Sequence, residues 1–210
     1  MTKFAILLGG DLFPTDRLMQ QLTGARIIAA DAGMMHAAPL GLEAELWVGD
    51  FDSASPALIA DAGHVPRQAF PADKDSTDGE LAVRAALERG AQQMILAGGL
   101  GGQSDHAFAH LTLALGLARG GTAAFVTSGH EEAWPLYPGE HRLDAPPGSR
   151  LSIIALSDLD GLSLSGVRWP LEQRSVPLGS TLTLSNVVAG PVRIDLASGN
   201  AIIMVTPPRP

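Results

Sequence analysis

Leu46-Trp47-Val48-Gly49-Asp50-Phe51-Asp52 is an apolar run that stops at a glycine and two carboxylates. A short, wholly apolar stretch closed by a polar turn describes a strand buried on both faces, and such strands belong to parallel sheets whose carboxyl ends carry the chemistry. The same texture recurs on either side. Strands are predicted at 3–8, 26–30, 45–48, 65–70, 92–97 and 122–126, alternating with helical stretches, which is the order of an α/β domain with a parallel sheet. The most sharply bounded helix covers 77–88, where Thr77-Asp-Gly-Glu80 reads as a capping box and Gly90 lies just past the end. Another helix is predicted from Ser104, its expected N-cap, to about residue 119. It is apolar on most faces and is expected to be buried.

Pro135, Pro138, Pro146, Pro147 and Gly148 change the texture, with 145–149 as the linker. Beyond it the period becomes two, and strands are predicted at 151–156, 162–164, 181–184, 192–196 and 201–205. The expected fold is therefore an N-terminal parallel-sheet α/β domain over 1–144, followed by a C-terminal antiparallel β-sandwich over 149–210.

Composition narrows the function. The 210 residues bury a core without a staple, and the absence of cysteine excludes disulfides, thiolate metal sites and cysteine nucleophiles. That usage fits a reducing cytosol, so a cytoplasmic location is expected. Residues 4–8 are too short an apolar run for a signal peptide and read as a first strand, and no stretch is long enough to span a membrane. With 22 acidic against 14 basic residues and a net charge of −8, a nucleic-acid partner is not expected.

The acid is concentrated: Asp31, Asp50, Asp52, Asp73, Asp75, Asp78 and Asp105 all lie in the first half. Asp50 and Asp52, two apart on an extended segment, are expected to share one face and one ion. Carboxylates about 4 Å apart repel by roughly 4 kcal/mol at an effective dielectric near 20, so dense clusters call for a cation. Oxygen-only ligands point to Mg2+, and Mg2+ commonly accompanies a nucleotide. Asp78, in the first turn of a helix, has a macrodipole reading as well. Asp73 and Asp75 precede the cap and have none, and Lys74 between them suits either a phosphate contact or a local ion pair. Gly9-Gly10-Asp11 and Gly98 to Gly102 close two strands, the second leading into the Ser104 helix, where backbone N–H groups favour phosphate. The loop is neither a P-loop nor a GxGxxG fingerprint. His106 and His110 have zinc-pair spacing but lack the accompanying glutamate. Trp47 is expected in the core and Trp169, between Arg168 and Pro170, at the surface.

Asp31-Ala-Gly33, Leu46 to Ser53, Asp73-Lys-Asp-Ser-Thr-Asp78, Gly101-Gly102 with Asp105-His106, Gly166-Val-Arg-Trp169 and Leu184-Ser-Asn186 together resemble the motifs of the thiamine pyrophosphokinase family, in the same order over nearly the whole chain. The resemblance implies a nucleotide-binding α/β domain, a thiamine-binding β-sandwich, a homodimer with active sites between subunits, and transfer of the pyrophosphoryl group of ATP to thiamine, giving thiamine diphosphate and AMP. It implies that Asp50, Asp52, Asp73 and Asp78 hold Mg2+ and the triphosphate and that Asp105 acts with them in catalysis. It further implies that Gly33, Lys74, Asp75, Gly101, Gly102 and His106 bind ATP, and that Trp169, Ser185 and Asn186 form the thiamine pocket. Three positions depart from the family pattern: Gln103 replaces an arginine, Ala32-Gly33 a double glycine, and His110 an asparagine.

Rival readings follow from the same residues. Asp50-x-Asp52 after a strand resembles the nucleophile pair of haloacid dehalogenase-type phosphatases, against which stand Ala54 and the Asp73 to Asp78 cluster. A pyrophosphokinase for another small alcohol, and a non-catalytic nucleotide or thiamine sensor, also fit the loss of arginine at position 103.

Overall fold

A computed structural model of the chain describes residues 1–52, 54–71 and 75–208. The chain divides into two compact units, Met1–Gly129 and His130–Pro210.

The first unit is built on β1 (Lys3–Leu7), β2 (Arg26–Ala30), β3 (Ala44–Gly49), β4 (Arg67–Ala69), β5 (Gln93–Ala97) and β6 (Ala123–Thr127). They pair in parallel in the order β6-β5-β1-β2-β3-β4. Phe4, Ala5, Ile6 and Leu7 in β1 and Trp47 and Val48 in β3 are wholly buried, which is why these strands read as unbroken apolar runs. β4 is an exposed edge of three residues, shorter than the 65–70 expected. Among the described residues four α-helices lie between the strands, α1 (Asp16–Leu22), α2 (Pro56–Asp61), α3 (Asp78–Glu88) and α4 (Ser104–Arg119), and a 3-10 helix covers Asp31–His36. The first three are capped as their sequences direct, Thr15, Ser55 and Thr77 each accepting an N–H three residues on.

α4 departs from expectation twice. Its N-cap is Gln103, without a side-chain bond, and Ser104 is already helical. Only Ala114 and Leu115 are buried, while Phe108 is 57% exposed, because the helix lays one stripe on β6 and leaves the rest of its surface open. The sheet order reverses beside β1, whose neighbours are β2 and β5. A crevice opens at such a point beyond the carboxyl ends of the strands.

The second unit contains β7 (Glu132–Leu136), β8 (Gly139–Leu143), β9 (Arg150–Ala155), β10 (Leu159–Val167), β11 (Leu171–Val176), β12 (Asn186–Leu196) and β13 (Ala201–Thr206), all paired antiparallel. β12 joins two ladders: Asn186 and Val187 pair with β9, and the strand beyond them pairs with β10 and β8. Leu151, Ile153, Leu162, Leu164, Val192, Ile194 and Ile203 close one apolar core between them. β7 and β8 precede the 145–149 linker of the sequence reading, yet they pair with β13 and β12. The expected strand at 181–184 is a turn instead, with Thr183 buried and its Oγ1 donating to the Ile153 carbonyl at 2.6 Å. Among the described residues no helix is long and apolar enough to cross a membrane.

Candidate active site

Three carboxylates converge where the strands of the first unit end. Asp31 directly follows β2, Asp50 directly follows β3 and Asp78 opens α3. One oxygen of each lies within 4.8 Å of the others, and all three residues are half-buried. Asp31 is delivered by its backbone: its carbonyl accepts the Nε1–H of the core residue Trp47 at 2.8 Å, and its φ is 43°. Three half-buried anions this close repel strongly, and an all-oxygen donor set of this kind fits a hard divalent cation.

Asp52 does not join them. Phe51 has a φ of 65°, so the chain leaves the extended conformation after β3 and the two-residue alternation fails. Asp52 is exposed, and its backbone N–H donates to Asp50 Oδ1 at 3.2 Å. Asp73 and Lys74 lie outside the described residues.

The carboxylates face a pocket of about 700 Å³ walled by two glycine loops, Gly9-Gly10 after β1 and Gly98 to Gly102 after β5. The loops are joined by the Gly10 N–H to the Gly98 carbonyl at 3.0 Å. Asp75, Thr77, Asp78 and Gly79 line it from the start of α3, and Gln103, His106 and His110 from α4. Two helix N-termini therefore reach the cavity, each equivalent to roughly half a positive charge, an arrangement suited to phosphate oxygens.

Two expected site residues, Gly33 and Asp105, lie off the cavity wall. Gly33 is buried beneath the crevice, where an added Cβ would lie 2.1 Å from the Leu7 carbonyl oxygen, so glycine is required there for packing. Asp105 is exposed and accepts the N–H of His106 at 2.9 Å. His106 and His110 have ring centroids 6.3 Å apart, and among the described residues no metal-compatible group contains a histidine. Burial lowers the pKa of His110, the nearby His106 adds to that, and a bond to the Gly99 carbonyl opposes it.

In the second unit Trp169 is 53% exposed, with the Arg168 guanidinium 5.0 Å from its ring centroid. Asn186 is buried and spends its amide on the Trp169 backbone: Oδ1 accepts the Trp169 N–H at 3.1 Å and Nδ2 donates to the Trp169 carbonyl at 2.7 Å. Ser185, with a φ of 60°, donates its N–H to Ser152 Oγ at 2.9 Å.

Known proteins match both units. The family profile described as thiamin pyrophosphokinase, catalytic domain, covers residues 19–126, and that described as thiamin pyrophosphokinase, vitamin B1 binding domain, covers 140–200. A thiamine pyrophosphokinase of Bacillus subtilis is 30% identical over 172 residues, spanning 76% of each chain. A crystal structure of thiamine pyrophosphokinase from Bacillus subtilis superposes with a TM-score of 0.85 at 24% identity, covering 99% of this chain and 100% of that one. A thiamin pyrophosphokinase structure from Candida albicans gives a TM-score of 0.82 at 12% identity, covering 99% and 90%.

Proposed function

The chain belongs to the thiamin pyrophosphokinase family, and from that premise we propose that it transfers the pyrophosphoryl group of ATP to the hydroxyl of thiamine with the first unit as the nucleotide site. The observation that carries the reading is the convergence of Asp31, Asp50 and Asp78 below two glycine loops at the carboxyl ends of a parallel sheet. The hydroxyethyl oxygen of thiamine attacks the β-phosphorus, the bridge to the α-phosphorus breaks, and AMP leaves as a carboxylate accepts the alcohol proton.

Asp31, Asp50 and Asp78 would hold Mg2+, with Asp52, Asp73 and Asp75 of the neighbouring acidic motifs serving the triphosphate. The bound ion supplies neutralisation of phosphate charge and orientation of the polyphosphate. Gly10, Gly98, Gly101 and Gly102 admit the phosphates close to backbone, and the first turns of α3 and α4 offer them partial positive charge. His106 faces the same cavity, while Asp105 acts through its bond to the His106 backbone.

Trp169 in the second unit presents an indole face to the aromatic, cationic thiamine. Asn186 holds that tryptophan in place, and Ser185 completes the turn beside it. The working form is a cytoplasmic homodimer, checked by light scattering of the purified protein. An AMP-release assay with ATP, Mg2+ and a panel of alcohols including thiamine tests the activity. AMP formed with thiamine supports it. Inorganic phosphate as the product, AMP formed only with another alcohol, or binding of both ligands without AMP would overturn it.

A further inference from the structure

His110 stands between two walls of the pocket that come from distant parts of the chain. It lies in the second turn of α4, and its Nδ1 is 3.1 Å from the carbonyl oxygen of Gly99, inside the second glycine loop. A carbonyl only accepts, so Nδ1 carries the proton and Nε2 is the free acceptor. Nε2 points toward the first turn of α3: a Cβ built on Gly79 would be 3.5 Å from it and 2.9 Å from Leu8 Cδ2. The turn therefore lies beside the ring, and the residue before Gly79 is Asp78.

The rest of the loop is held from the sheet side. Gly98 donates its N–H to the Thr127 carbonyl at 2.8 Å, and its own carbonyl takes the Gly10 N–H. The Gly10 carbonyl in turn accepts from His36 Nε2 at 2.9 Å. On the α4 side the loop is met by His110, through Gly99.

We propose that His110 is a positioning residue: by donating its Nδ1–H to the Gly99 carbonyl, the neutral imidazole ties the Gly98 to Gly102 loop to α4 beside the carboxylate-bearing first turn of α3. Burial of the ring favours the neutral state this role requires. The ring touches no reacting atom in this scheme. Its effect falls on the width of the cleft that receives the polyphosphate, so the inference rests on the nucleotide reading above.

Replacing the ring by His110→Phe keeps the bulk and removes the donor, and His110→Asn keeps a donor on a shorter side chain. Affinity for ATP, affinity for thiamine and melting temperature are measured for each, alongside the wild type. His110→Phe is expected to weaken ATP binding about tenfold with thiamine affinity unchanged, and His110→Asn to stay within about twofold of wild type for both. Two-bond ¹H–¹⁵N spectra of histidine-labelled protein should show His110 protonated at Nδ1. If the phenylalanine variant does not fold, His110→Ala, which also removes the donor to the Gly99 carbonyl, should give the same ATP-selective loss.

ATP affinity unchanged in His110→Phe, or ATP and thiamine affinities falling together with the melting temperature, would overturn the positioning role. Nε2 protonation in the spectra would overturn it as well. A wild-type protein that binds no ATP would instead overturn the nucleotide reading on which the inference stands.

Discussion

Asp31 reaches the carboxylate group because a buried indole holds its carbonyl, and that decides which variants are informative. Asparagine tolerates a φ of 43° almost as well as aspartate, so Asp31→Asn removes charge without disturbing the turn. Asp31→Asn, Asp50→Asn and Asp78→Asn are each expected to lower AMP release about 100-fold or more. Their melting temperatures should be unchanged or raised in metal-free buffer, since each substitution relieves repulsion among oxygens within 4.8 Å. Near-normal turnover in any of the three would remove that residue from the metal set. Asp50 and Asp78 were legible in the sequence because they sit in dense acidic motifs. Asp31 stands among the first-half acids and in the Asp31-Ala-Gly33 motif but received no metal role from the sequence, because its place beside Asp50 and Asp78 depends on a tertiary bond to Trp47 that no spacing announces. Asp52 was placed with Asp50 on the assumption of an extended chain, and the left-handed Phe51 has no sequence signature in a bulky aromatic. Gln103 offers a gain-of-function test. It lines the pocket at the start of α4, so Gln103→Arg should strengthen ATP binding or raise turnover by adding charge and paired donors. Unchanged kinetics would place the phosphates away from that helix start.

The strands that read as unbroken apolar runs are buried along most of their length, and the polar or proline-bearing strands went unread. β1, β2, β3, β5 and β6 announce themselves as apolar runs. β8 and β11 are mostly exposed and polar, and β7 carries Pro135, so none of them shows the alternation that marks a strand. The opposite error occurs at 181–184, where Thr-Leu-Thr-Leu alternates but is folded into a turn by the bond between Thr183 and Ile153. That turn leads into Asn186, whose two oxygen lone pairs are taken by the N–H groups of Trp169 and Val187 and one of whose amide hydrogens goes to the Trp169 carbonyl. The satisfied amide leaves little for a ligand and makes Asn186 the anchor of the Trp169 segment. Trp169→Ala is therefore expected to weaken thiamine affinity roughly tenfold or more with ATP affinity nearly intact, the quadrupole attraction alone being on the order of 0.5 to 2 kcal/mol. Asn186→Ala should reproduce that selective loss and also lower stability by about 1–3 kcal/mol, because buried backbone groups lose their partners. Calorimetry with each ligand decides. Equal losses for ATP and thiamine in Trp169→Ala would mean that the indole only packs.

The whole chain carries a net charge of −8, and part of that charge is gathered in one cleft. ATP adds further negative charge to the same place, so the free nucleotide and the empty cleft repel one another, and binding is coupled to a cation. Linkage turns this into a stability measurement. A ligand present at about 100 times its dissociation constant stabilises the fold that binds it by about 2.7 kcal/mol. For a chain of this size each kcal/mol raises the melting temperature by about 2–4 °C, so saturating Mg2+ with ATP is expected to raise it by roughly 5–10 °C. Mg2+ alone should give a smaller rise by relieving repulsion among Asp31, Asp50 and Asp78, and ATP with EDTA should give almost none. The Asp50→Asn variant should lose most of the Mg2+-dependent shift while keeping its starting melting temperature, which separates loss of the ion from loss of the fold. An ATP shift of full size in EDTA would show that the nucleotide binds without the metal, and the carboxylate group would then need another role.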